Sequence, residues 1–217
     1  MVQAHPQNIK APLAQPTHVQ LSRKALAHNL ECVRQNAPKA NIVAMIKSNA
    51  YGHGMGMMAQ ELAALGVSRF GVSTLAEGIH LRRQRPEEEI ILFGGASWLG
   101  QAEALVQHRL TPVITHLGEL EALAPLVTEG TFGVHLGIDT GMSRLGIYWE
   151  DQPEPVLLPF IEFFQKHPQI ILDALATHFA KADEKSAKNL CEAQMGQYAQ
   201  AVAVFNSHNL LPKRFSI

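Results

Sequence analysis

Two rhythms of apolar residues alternate along this chain. Short apolar runs of strand length are followed by stretches in which apolar residues return every three or four positions, as on one face of a helix. The first pair is a short strand over Thr17–Leu21 and a helix carrying Leu26, Leu30, Val33 and Ala37. Ser22 is placed to cap that helix and Pro38 to end it. A strand near 41–46 comes next, then a helix opened by Gly54 and stopped by Gly66. The same alternation predicts strands at Phe70–Val72, Glu89–Gly94, Pro112–Thr115, Thr131–Ile138, Ile170–Thr177 and Arg214–Ile217. Between them lie helices through Ala76–Arg82, Leu99–Val106, Leu117–Val127, Val156–Lys166 and Leu190–Phe205. A long loop opens at Asp139.

Strands that alternate with helices imply parallel strands joined by crossovers. Two architectures answer to that pattern, an open doubly wound sheet and a closed (β/α)8 barrel. Gly52, Gly54 and Gly56 do not have the spacing of the dinucleotide-binding fingerprint that would favour the open sheet. Lys47, Arg144 and His178 each fall at or beyond the end of a different strand, where a barrel gathers its functional groups. The expectation is therefore an α/β fold of the (β/α)8 TIM type, incomplete, with about seven of the eight barrel strands. Residues 1–15 read as a flexible leader and residues 16–217 as the barrel domain.

Composition narrows the function classes. The formal net charge of −1 gives no electrostatic footprint for nucleic acid. No apolar run approaches the roughly 18 residues that span a bilayer, and the first residues lack a signal-peptide core. The two cysteines, Cys32 and Cys191, have no metal-type spacing and read as buried thiols of a reduced, cytoplasmic protein. Eleven histidines are many, yet none forms a His-Glu-x-x-His pair, so no metal site is expected.

The candidate chemistry centres on Val43-Ala44-Met45-Ile46-Lys47-Ser48-Asn49-Ala50-Tyr51-Gly52-His53-Gly54. Four apolar residues ending at a turn predict a strand buried on both faces. A lysine at its carboxyl end has its stem held by apolar neighbours, a setting that suits an amine nucleophile. It equally suits a snorkelling surface lysine. Gly52 and Gly54 let the backbone approach a ligand closely. A second stretch, Asp139-Thr140-Gly141-Met142-Ser143-Arg144-Leu145-Gly146, sets an arginine in a glycine-bordered loop, where its planar fork can meet a carboxylate or oxyanion. By itself such an arginine is more often a surface turn residue. The third stretch, Ala176-Thr177-His178-Phe179-Ala180, ends a strand on a histidine.

Taken together these stretches resemble the alanine racemases, in register from about Pro16 to the last residue. The segments Ala76-Glu77-Gly78 with Leu81-Arg82, and Ala182-Asp183-Glu184 with Gln194, extend the likeness. The resemblance implies an enzyme that interconverts L- and D-alanine with pyridoxal 5′-phosphate (PLP) and supplies D-alanine for peptidoglycan. By it, Lys47 carries PLP and is one of two catalytic bases, and Tyr51 hydrogen-bonds the cofactor phosphate. Arg144 meets the cofactor's phenolic oxygen and the substrate carboxylate, and His178 packs on the pyridine ring. The family's second base is a tyrosine of a C-terminal β-domain, acting across a homodimer interface. That domain and most phosphate contacts lie past residue 217, so the 217-residue chain is expected to be inactive alone. One departure stands out: where many racemases have a lysine two residues before the loop aspartate, this chain has Gly137, so Arg144 needs another restraint. The alternative is a non-enzymatic PLP-homeostasis barrel. Its lysine loop differs from Tyr51-Gly52-His53-Gly54, and it completes its phosphate site in one domain.

Overall fold

The computed structural model describes residues 19–85 and 87–216. The flexible leader expected over 1–15 lies outside them, as do the ends of the strands expected at Thr17 and Ile217. The chain divides into two compact units, Met1–Lys39 and Ala40–Ile217.

In the first unit the described structure is α1 (Arg23–Asn36). Ser22 caps it as the sequence implies, its hydroxyl accepting from the Ala25 amide at 3.2 Å. Residues 19–21 form no strand, which corrects the first expected element.

The second unit is built on seven parallel strands in sequential order: β1 (Ala44–Met45), β2 (Arg69–Val72), β3 (Glu89–Leu92), β4 (Thr111–Ile114), β5 (Phe132–Gly137), β6 (Ile170–Ala176) and β7 (Arg214–Ser216). The crossovers are α2 (Lys47–Tyr51) with α3 (Met55–Ala64), α4 (Leu75–Gln84), α5 (Ala102–Gln107), α6 (Leu117–Leu123), α7 (Glu154–Lys166) and α8 (Lys188–Ser207). The stretch before α5 is a 3-10 helix, Gly95–Gln101, where the sequence suggested one continuous α-helix. Strands covered on both faces read as unbroken apolar runs, and Ile90, Ile91, Leu92, Ile114, Val134, Leu136 and Leu175 are fully buried. The expected strand at 41–46 shrinks to two half-buried residues, because among the described residues β1 pairs with β2 alone. Each amphipathic helix turns its apolar stripe inward: α7 buries Leu157, Phe160 and Ile161, and α8 buries Tyr198, Ala201 and Phe205. The Tyr198 hydroxyl donates to the Leu175 carbonyl at 2.7 Å, which fastens α8 to β6.

The sheet curls on itself, and one ion network demonstrates it. Glu89 begins β3 and Arg214 begins β7, four strand spacings apart, or roughly 19 Å in a flat sheet. Yet Arg214 donates to both oxygens of Glu89, at 2.6 and 2.9 Å. Only a barrel-like wall brings them together. Arg69 from β2 donates to the same carboxylate at 2.9 Å, and Arg214 also pairs with Asp173 of β6. Asp173 is the extra residue of a β-bulge, since Val134 pairs with Leu172 and His135 with Ala174. His135 of β5 lies 3.6 Å from Glu89 and 3.7 Å from Asp173. Glu89, His135 and Asp173 converge closely enough to hold a metal ion, a grouping that spacing along the sequence does not show. Here the guanidinium of Arg214 already lies against both carboxylates. The fold is the expected incomplete (β/α)8 barrel. Among the described residues no helix is long and apolar enough to cross a membrane. Cys32 is exposed and Cys191 half-buried, so neither is the buried thiol that the sequence suggested.

Burial acts to raise the Glu89 carboxyl, but His135 and the guanidiniums of Arg214 and Arg69 outweigh it and hold the group at about 2. A depressed carboxyl stabilises the fold above its ordinary value of 4.5, and that contribution drains away as pH falls towards 2. Glu89→Ala deprives Arg69 of this carboxylate and leaves Arg214 with Asp173, and is expected to cost about 2 kcal/mol at neutral pH. Urea unfolding at pH 7 and pH 3 checks this: the deficit of the variant should narrow at the lower pH, and a deficit that is unchanged or widens contradicts it.

Candidate active site

Strand β1 delivers Lys47 to the carboxyl-terminal rim of the sheet, and the chain then does something no periodicity announces. Ser48, Asn49, Ala50 and Tyr51 all have positive φ, between 52° and 55°, so α2 is a left-handed turn made without glycine. Each such residue costs about 1–2 kcal/mol against the right-handed form, roughly 4–8 kcal/mol over the turn. Strain of this size persists only where the surroundings over-determine it. Several bonds do so. The Ser48 amide donates to Glu77 Oε1 at 2.6 Å, and the Ala50 amide donates to the Ile46 carbonyl at 2.8 Å. The Asn49 carbonyl accepts from Gly52 and Gly54, while its side-chain oxygen accepts from the Met55 amide at 2.8 Å. The His53 ring bonds the Ala50 carbonyl at 2.8 Å, which makes it a brace of the turn. Gly52 at φ 90° closes it.

The turn sets Lys47 and Tyr51 side by side, the amine 6.0 Å from the centre of the ring. Lys47 is half-buried and Tyr51 exposed. Glu77 belongs to a capping box at the start of α4, where its Oε2 accepts from the amides of Ser73 and Thr74 at 2.9 and 3.1 Å.

Arg144 stands on the loop after β5. The Ile147 amide donates to the Gly137 carbonyl at 2.8 Å and the Asp139 amide to the Ile147 carbonyl at 3.0 Å, pinching the loop at its base. Asp139 then gathers the amides of Gly141 and Ser143 at 3.0 and 2.9 Å. Gly146, at φ 131°, has no room for a side chain, since a Cβ there would lie 2.5 Å from the Asp139 nitrogen. These contacts are the restraint that the departure at Gly137 called for, though they hold the loop and not the guanidinium. Among the described residues Arg144 makes no hydrogen bond or ion pair, and it is exposed. A Cβ at Gly137 would sit 3.1 Å from Val113 and 3.3 Å from the Ile114 carbonyl, so a larger residue would press on β4.

His178 follows β6, and buried Gln194 of α8 fixes its loop. The Gln194 amide oxygen accepts from Ala180 at 3.0 Å, and its nitrogen donates to the His178 carbonyl at 3.1 Å and to Thr140 Oγ1 at 3.0 Å. Thr140 in turn bonds Thr177 at 2.8 Å. One glutamine thus ties the loops of Arg144 and His178. The His178 imidazole is pushed below its usual range by partial burial and then by the nearby charges of Arg144 and Lys47. Lys47, Arg144 and His178 therefore come together from three strand ends, as the sequence suggested. Beside them is a cavity of about 90 Å³ lined by Phe93, Gly137, Arg144, Leu145, Thr177 and His178. Tyr51 joins them through Lys47. The positive charge of Arg144 at this cavity, with Lys47 within electrostatic reach of His178, suits an anionic ligand.

The reach of Glu77 to Ser48 and the three-way hold of Gln194 escape a reading of the residues in line. Thr74-x-x-Glu77 is visible as a capping box, but its second oxygen finds its partner through the fold.

Comparison with known proteins places the chain. Residues 21–217 match the family described as alanine racemase, N-terminal domain. An alanine racemase of Synechocystis is 32% identical over 205 residues, which are 93% of this chain and 54% of that protein. Among solved structures, the Clostridium difficile alanine racemase in complex with cycloserine is 26% identical, with a TM-score of 0.80 over 89% of this chain and 52% of its own. A histidine racemase from Leuconostoc mesenteroides is also 26% identical, with a TM-score of 0.78 over 90% of this chain and 50% of its own. The chain spans about half the length of the relatives it matches. Lysine, arginine and histidine after β1, β5 and β6 of a parallel barrel, and a sequence that aligns along nearly its whole length, lead to one family: this chain belongs to the alanine racemases, as their N-terminal domain.

Proposed function

We propose that this domain holds PLP on Lys47 and that the whole protein uses it to interconvert the enantiomers of alanine. The observation that carries the reading is that Arg144 and His178 line one cavity with Lys47 within electrostatic reach of His178, while Arg144 makes no hydrogen bond or ion pair among the described residues. PLP suits this donor set. Its aldehyde takes a lysine amine, and its phenolic oxygen and phosphate are anions that a guanidinium and a phenol can meet. When bound, PLP drains electron density from the Cα of an attached amino acid.

The residues of the chain divide the remaining work. Lys47 would hold the cofactor through its amine and would move the proton at Cα on one face. Tyr51, exposed beside Lys47, donates its hydroxyl to the phosphate. Arg144 would meet the phenolic oxygen and the substrate carboxylate with its fork, and His178 would pack against the ring. Inversion takes a second base on the opposite face. We assign it to a tyrosine of a C-terminal domain in the whole protein, acting across a homodimer. The setting is the cytoplasm and the product D-alanine for peptidoglycan. The racemase form of the lysine loop and the clustered Arg144 weigh for this over a non-enzymatic PLP carrier. A histidine racemase at the same level of identity makes L-histidine the second substrate to assay.

Two outcomes test the reading. Borohydride treatment with PLP should fix the cofactor on Lys47, and Lys47→Ala should remove the label; a label on Lys24 in its place sinks the assignment. In the whole protein, Arg144→Lys replaces a planar fork with a point charge and should lower kcat roughly 100-fold. Its unfolding free energy should move by no more than about 0.5 kcal/mol. Wild-type turnover in Arg144→Lys returns Arg144 to the role of a surface turn residue.

A further inference from the structure

The geometry points to Glu77 as the positioning residue for Lys47, acting through the amide of Ser48. This rests on Lys47 being the cofactor lysine, and it adds to that reading the group that aims the amine.

The structure contains its own control. Glu77 and Glu119 occupy the same place in two βα units, each in the first turn of the helix that follows its strand. Both use one oxygen for the capping box. Glu77 Oε2 accepts from the amides of Ser73 and Thr74, and Glu119 Oε2 accepts from those of Thr115 and His116, at 2.6 and 2.8 Å. The cap therefore needs only one oxygen. In Glu119 the other, Oε1, is buried and has no partner among the described residues. In Glu77 it accepts from Ser48 at 2.6 Å, a short charge-assisted bond to the residue next to the lysine.

The bond falls where it counts most. Ser48 is the first residue of the left-handed turn, so its amide fixes the plane of the peptide that joins it to Lys47. No other side chain among the described residues bonds the backbone of Lys47 or Ser48. A carboxylate can accept on both sides at once, from Ser48 and from the cap. A glutamine cannot, because its nitrogen would oppose an amide donor on whichever side it faced. Glu77→Gln thus gives up one hold. Glu119→Gln gives up none, because its nitrogen can take the place of the oxygen that has no partner.

The test uses the full chain with PLP and borohydride as the probe. It measures the labelling rates of Lys47 and exposed Lys24 by peptide mass, and the exchange of the Ser48 amide with solvent deuterium. Glu77→Gln should slow labelling of Lys47 roughly ten-fold, spare Lys24 and speed exchange at Ser48. Glu119→Gln should behave as wild type in all three. If Glu77→Gln does not fold, Glu77→Asp serves, since it keeps the charge but is too short to span both partners. Wild-type labelling of Lys47 in the Glu77 variant overturns the inference, and so does an equal loss in Glu119→Gln. If wild-type Lys47 labels no faster than Lys24, the cofactor reading fails instead, and Ser48 exchange still reports on the clamp.

Discussion

A left-handed turn built from serine, asparagine, alanine and tyrosine is the constraint on which this site depends. Left alone, those residues would wind the other way, and a lysine at the end of β1 would continue into an ordinary helix. The turn holds because hydrogen bonds from several directions favour it. Glu77 takes the first amide, Asn49 binds both its own turn and the start of α3, and His53 returns to Ala50. Asparagine is the residue of the four that visits this conformation most readily. The turn ends in Gly52, which has no steric objection to it.

The rest of the domain brings an arginine and an imidazole, Arg144 and His178, to the same rim. The curl of the sheet is fixed inside by Arg214, which spans from β7 to Glu89 on β3 and Asp173 on β6. That network lies at the starts of β2, β3 and β7, away from the rim, so stability and chemistry occupy opposite ends of the strands, as in barrels generally. At the rim, Gln194 couples the loops after β5 and β6, so the two loops that carry Arg144 and His178 are tied by one buried side chain. Burial first, and then the charges of Arg144 and Lys47, lower the His178 imidazole there.

Much of this was legible in the residues. The alternation from Phe70 to Arg214 predicts the parallel sheet because its period is carried by buried residues that tolerate no slip. The likeness of Lys47-Ser48-Asn49-Ala50-Tyr51 to a racemase loop finds the site, but nothing in those letters reveals positive φ, since serine and alanine prefer right-handed helix. Arg69, Glu89, His135, Asp173 and Arg214 were invisible as a group because their proximity is created by closure of the wall and, at Asp173, by a bulge. Glu119 and Glu77 look alike in line and differ in one contact, which the fold alone supplies.

The central claim, that the backbone after Lys47 is left-handed, has a test whose outcome differs in sign. Ser48 is exposed and its φ is 52°, so Ser48→Gly alters little besides backbone preference. In a left-handed turn glycine removes a steric cost, and the unfolding free energy should rise by up to about 1 kcal/mol. In a right-handed helix the same change should lower it by about 0.5 kcal/mol. A rise on denaturant unfolding is the result predicted here, and a fall would contradict the account.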